Sequence, residues 1–158
     1  MSDNIAQVIH QNQFGSIHQK ILIGVMLVNS RLEERQNLIL KQYDISLQQY
    51  NVLRILRGQY PNASTLQLVK ERMIDRSSDV SRIVERLRKS DLLTRVPKAM
   101  DKRAVDIQIT EGALDLLKRI DAEIPYFYEP MKQFSIAEAT QMTVLLDKLM
   151  ANVLALEK

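Results

Sequence analysis

Three features of the sequence predict a mainly helical protein carrying one small β-hairpin. Apolar residues recur at steps of three and four over most of the chain, which is the helical period. One stretch, AVDIQIT, alternates apolar and polar residues instead, as a half-buried strand does. Positive charge is also concentrated in one region. Between Arg76 and Arg103 nine basic residues stand against four acidic ones, a net of +5 in a 158-residue chain whose total is +3, so the remainder sums to −2. A localised field of that sign marks a face for an anionic partner.

From Ser16 to Lys41, Ile17, Ile21, Val25, Val28 and Leu32 share one face of a long helix, with Gly24 as a weak point inside it. A second helix starts at Ser46, whose hydroxyl and the Gln49 side chain form a capping-box pattern, and it buries Val52, Leu53 and Leu56. GQYPNAS ends it. Ser64 and Gln67 repeat the pattern ahead of a short helix with Leu66, Val69 and Met73 on one face, and IDRSS breaks that helix.

The next helix, Ser78 to Lys89, places Val80, Ile83, Val84 and Leu87 at i, i+3, i+4 and i+7. Ser78, Arg82, Glu85, Arg86 and Lys89 fall largely on its other side. LLTRVPK then reads as a strand, followed by a basic loop and a second strand in which Val105, Ile107 and Ile109 face one way and Asp106 and Gln108 the other. Thr110 caps a further helix with Glu111 in its first turn and a stripe of Ala113, Leu117, Ile120 and Ile124. Pro125 and Pro130 interrupt the chain around YFYE. Ser135 and Glu138 form another capping box, opening a last helix in which Met142, Leu146, Leu149, Val153 and Leu156 alternate steps of four and three, a seam for another helix.

Composition excludes several functions. With 46% hydrophobic and 26% charged residues the chain is an ordinary globular one, and its longest apolar run, ILIGVMLV, is far short of the ~18 residues that span a bilayer. The N-terminal residues lack the pattern of a secretory signal, so a cytoplasmic location is expected. The absence of cysteine removes disulfides, thiol nucleophiles and thiolate metal sites, and two histidines leave little for metal chemistry. There is no Gly-rich phosphate loop, no ligand-spaced His/Glu set and no nucleophile with an identifiable base. No catalytic site, metal or cofactor is therefore expected.

Two short helices with a tight break, followed at once by a hairpin, make a winged helix-turn-helix. A helix fits the DNA major groove and reaches base edges first with its N-terminal residues, which here are Arg76, Ser77, Ser78, Asp79, Ser81 and Arg82. Arg86 and Lys89, further along, suit phosphate. Arg95, Lys98, Lys102 and Arg103 extend the basic surface along the wing, whose tip can meet the narrow, negative minor groove.

From Leu66 to Leu117 these residues resemble the MarR family of bacterial transcriptional regulators. The family's Asp-x-Arg wing tip is matched by Asp101-Lys102-Arg103, and its Leu-Thr-x-x-Gly element, altered, by Ile109-Thr110-Glu111-Gly112. The resemblance implies that Arg103 enters the minor groove and that Asp101 orients the wing. It implies a homodimer built from the terminal helices, here through Ile17, Ile21, Met142, Leu146, Leu149 and Val153, binding double-stranded DNA at an inverted repeat, most often as a repressor. A small aromatic or anionic effector is a further implied partner, with His18, Arg31 and Tyr50 as candidate contacts.

The ranges that follow are 1–45 for the N-terminal dimerisation helix and its connector, 46–110 for the winged lobe and 111–158 for the C-terminal dimerisation helices, in one compact fold. Three positions depart from the family: Ile74-Asp75 stands where a glycine is common in the turn, Asp91 where one often ends the recognition helix, and Gly112 one residue early. The alternative reading is a winged-helix protein-interaction module whose basic face holds an acidic partner.

Overall fold

The computed structural model describes residues 4–11, 13–97 and 105–157. Its contacts divide the chain between Ala122 and Glu123 into two units. The first opens with a short helix α1 (Asn4–Val8) that the periodicity does not announce. α2 (Ile17–Leu40) follows, capped by Ser16. Gly24 lies buried on α2, where an added Cβ would stand 2.9 Å from Ile5 Cδ1 of α1. The glycine is thus the place where α1 approaches α2 closely, which offsets its cost to the helix.

α3 (Leu47–Arg57) begins with both halves of the expected capping box, Ser46 Oγ accepting from Gln49 N at 3.2 Å and Gln49 Oε1 from Ser46 N at 2.8 Å. α4 (Leu66–Arg72) does not start as the sequence pattern predicts. Its cap is Thr65, whose hydroxyl accepts from Leu68 N at 3.1 Å. Ser64 is drawn away by the sheet: its N–H and C=O both pair with Ile107 at 2.8 Å.

α5 (Val80–Lys89) is capped by Asp79. β1 (Leu93–Pro97) and β2 (Val105–Ile109) pair antiparallel with Leu93 opposite Ile109 and Arg95 opposite Ile107. Ile107 and Ile109 turn into the core as the alternation requires. α6 (Glu111–Asp121) starts at the Thr110 cap and buries Ala113, Leu116, Leu117 and Ile120. Ile124, expected on the same stripe, lies beyond the end of this helix. Leu53, Leu56, Val69, Leu87, Leu117 and Ile120 are sealed from solvent, each worth roughly 1.5–3 kcal/mol of transfer. Arg57 ties α3 to α6 through Asp121 at 2.6 Å.

The second unit contains α7 (Ile124–Tyr128), with Pro125 in the first turn where its missing N–H costs no bond, and α8 (Ile136–Ala155). The Ser135–Glu138 capping box is complete. Leu156 is the residue that closes α8 rather than a member of it. Although α8 runs for 20 residues, none of them is buried.

Candidate nucleic-acid interface

The turn between α4 and α5 is organised by one carboxylate. Asp75 accepts from Ser77 N at 2.9 Å, Ser77 Oγ at 2.6 Å and Ser78 Oγ at 2.9 Å. These bonds hold the Asp75 carboxyl below the usual aspartate range, the Ser77 hydroxyl contributing most. Just before it, Ile74 N donates to Asn51 Oδ1 of α3 at 3.1 Å. The turn therefore needs no glycine: among the described residues positive φ occurs only at His10, Asp44 and Asp91. Because Ser77 and Ser78 both donate to Asp75, each hydroxyl has its one proton committed and keeps acceptor lone pairs.

The turn delivers α5 with its two sides separated. Val80, Val84 and Leu87 are buried, whereas Ser81, Arg82, Arg86 and Lys89 are exposed. The three cations follow steps of four and three, a stripe about 10 Å long at ~1.5 Å per residue. Among the described residues none of them is ion-paired. Arg76 and Ser77 are exposed ahead of the helix. Asp79, expected at the reading surface, is occupied as the cap, its Oδ1 accepting from Arg82 N at 3.1 Å. A carboxylate there also complements the positive end of the helix dipole.

At the other end, Leu92 N bonds Leu87 O at 3.0 Å and Asp91 N bonds Arg88 O at 3.1 Å, the two bonds of a Schellman stop. Asp91 takes the left-handed conformation this needs, with φ 56°. The aspartate thus does what the family's glycine does, at some steric cost.

Glu85 was given no role by the sequence, and the structure gives it three bonds. Arg88 donates to it from Nε at 3.1 Å and from NH2 at 2.8 Å, and Arg95 of β1 donates from NH2 at 3.2 Å. The Arg88 hydrogen bonds are the main reason that its carboxyl is held below the ordinary glutamate range. Arg95, expected to face DNA, is accordingly tied to α5. The Glu85–Arg88 spacing of three was legible; the reach across to β1 was not. Beside this cluster Leu66, Ser81, Val84 and Ile107 line an open groove of about 290 Å³.

The wing-tip residues Lys98, Asp101, Lys102 and Arg103 lie outside the described residues. Of the seam residues, Ile17 is 65% and Ile21 50% exposed on α2, and Met142, Leu146, Leu149 and Val153 are exposed on α8. His18 and Arg31 are not brought together: thirteen positions of α2 separate them, about 20 Å at the helical rise. Arg31 instead pairs with Glu34 at 2.9 Å. Tyr50 is buried on α3, its hydroxyl accepting from Arg54 at 3.1 Å. Among the described residues no group of three or more acidic or histidine side chains could hold a metal, and no helix is long and apolar enough to cross a membrane.

Residues 46–113 match the family model of a winged helix DNA-binding domain. The chain is 28% identical over 152 residues to the HTH-type transcriptional regulator PecS of Dickeya dadantii, covering 94% of this chain and 91% of that protein. Among solved structures it is similar to a MarR transcription factor from Planctomyces limnophilus, with 27% identity, a TM-score of 0.64 and coverage of 88% of this chain and 98% of the other. It shares its fold with a mutant MarR from E. coli complexed with operator DNA, at 22% identity, a TM-score of 0.72 and coverage of 94% and 99%. With a helix pair, an exposed cationic second helix and a following hairpin, residues 46–113 have the architecture of the winged helix DNA-binding domain they match, and the chain as a whole is similar to MarR-type and other helix-turn-helix transcriptional regulators.

Proposed function

We propose that the protein acts as a homodimer that reads an inverted repeat and represses transcription. The observation that carries this is α5: one side anchored by three buried apolar residues, the other presenting Arg82, Arg86 and Lys89. Pairing is supported by α8, a helix with no buried residue and an apolar seam, which a second copy would cover. Two such chains on a two-fold axis set their recognition helices roughly 34 Å apart, one turn of the duplex.

The reading surface is Arg76, Ser77, Ser78, Ser81 and Arg82, with Asp79 holding the helix end in place. Ser77 and Ser78, oriented by Asp75, suit base amino groups, whereas Arg82 suits guanine. Arg86 and Lys89 take phosphates, and Lys98, Lys102 and Arg103 of the wing, with Arg103 in the minor groove and Asp101 orienting it, complete the contact, while Arg95 stays with Glu85. Release by a small aromatic or anionic effector belongs to the same reading: a compound favouring another spacing of the two helices displaces DNA by population shift.

Paired substitutions test the assignment. Arg82→Ala should cost about 1–3 kcal/mol on a selected duplex and relax preference at one base position. Lys89→Ala should weaken all duplexes alike and lower the salt slope by about 1. Identical behaviour of the two variants would remove base reading from α5.

A further inference from the structure

We infer that Glu85 holds down the sequence-blind affinity of the interface by withholding two arginines from the DNA backbone. The inference rests on the DNA-binding reading above. Glu85 sits on α5 one turn from Arg82 and is flanked by Arg86, so it shares the helix with the cations that would meet DNA. Its two carboxylate oxygens hold Arg88 through a two-pronged contact at 2.8 and 3.1 Å and Arg95 at 3.2 Å. Arg88 and Arg95 remain 41% and 60% exposed, so solvent, and hence a phosphate, can reach both.

A guanidinium satisfied by a carboxylate gains little by exchanging it for a phosphate, and the exchange would strand the Glu85 charge against the polyanion. Backbone attraction, which is blind to sequence, is thereby reduced, while the contacts of Arg82 and the serines are untouched. A phosphate contact adds to the affinity for every duplex alike, so Glu85 lowers overall affinity and leaves the choice between sequences to Arg82 and the serines. Glu85 also links α5 to β1, which makes it a positioning residue for the wing, and the two roles predict opposite results on its removal.

The test uses the full chain with Glu85→Gln, which keeps the shape of the side chain but removes the charge and replaces one of its two acceptor oxygens with an NH2 donor. Binding is measured to a duplex selected from random sequence and to its scrambled version across a salt series. Glu71→Gln on α4 is the charge control, because the partner of Glu71 is the neutral Gln67. Release of two arginines predicts that Glu85→Gln binds the selected and the scrambled duplex several-fold more tightly alike and steepens the logarithmic salt slope by roughly 1–2. Glu71→Gln should leave the slope unchanged, and Glu85→Gln/Arg95→Gln should return about one unit of it.

Weaker binding with an unchanged or shallower slope, in a variant of unaltered circular dichroism, would overturn the inference and leave Glu85 a strut for the wing. If Glu85→Gln did not fold, Glu85→Asp, too short to hold both arginines, would replace it with the same expected direction. Failure of the wild-type protein to bind any duplex would refute the DNA-binding reading itself.

Discussion

Thr110 donates its hydroxyl proton to the carbonyl oxygen of Asp91 at 2.9 Å while accepting from Ala113 N at 3.2 Å. One side chain therefore ties the end of the recognition helix to the start of α6 across the base of the hairpin. Thr110 N adds a bond to Leu92 O at 3.2 Å. The base of the hairpin is thus bonded across at Asp91, Leu92 and Thr110, and this fixes where β1 leaves α5.

Asp91→Gly should stabilise the protein by roughly 0.5–1 kcal/mol, since glycine enters the left-handed region without the penalty paid by other residues, less its greater entropy in the unfolded chain. Thr110→Val, which keeps the shape but removes the cap, should cost about 1 kcal/mol. Urea midpoints measure both. A destabilised Asp91→Gly would mean that the aspartate side chain contributes something beyond its backbone.

The two candidate caps of α4 separate equally well. Ser64 Oγ is buried with no hydrogen-bond partner, so Ser64→Ala should cost less than about 0.5 kcal/mol or stabilise. Thr65→Ala should cost about 1 kcal/mol. The reverse order in thermal unfolding would restore the serine as the cap.

That pair shows where sequence reading stops. Ser46 with Gln49 and Ser135 with Glu138 were legible because a capping box is closed within four residues. Ser64 with Gln67 displays the same letters, yet Ile107, forty-three positions later, claims both backbone groups of Ser64. Amphipathic faces on α3, α5 and α6 were equally plain, since burial follows a local period. The packing of Ile5 on Gly24, the Asn51 bond to Ile74 and the Arg95 bond to Glu85 each join separate elements and leave no local mark. Asp75 with Ser77 and Ser78 lies between: a local motif, visible as letters, whose organising role in the turn went unassigned.

Acid should weaken what these carboxylates hold. Glu85 and Asp75 both have folded pKa values below their ordinary ranges, so their stabilisation is full above those ranges and is lost as the pH falls through the depressed values. The stability difference between wild type and Glu85→Gln should therefore be larger near neutrality than at about pH 3, where the unfolded carboxylates are largely protonated. Urea unfolding at both pH values reads it; a difference that grows on acidification would contradict the Arg88 and Arg95 pairing.

The seam of α8 gives a prediction on assembly. Leu146→Asp, on a helix with no buried residue of its own, should leave single-chain helix content largely intact while converting the proposed dimer to monomer. Sedimentation would show the change in mass. A wild-type monomer at micromolar concentration would remove the seam from the mechanism.

Selection of bound duplexes from random sequence, followed by competition between the winner and its scrambled form and a count of chains per duplex, bears most directly on the paired reading helices. The predicted outcome is an inverted repeat with half-sites one helical turn apart, two chains per site and strong preference over the scrambled competitor. Equal competition by scrambled DNA, or one chain bound per site, would contradict it and favour a basic face made for an acidic protein.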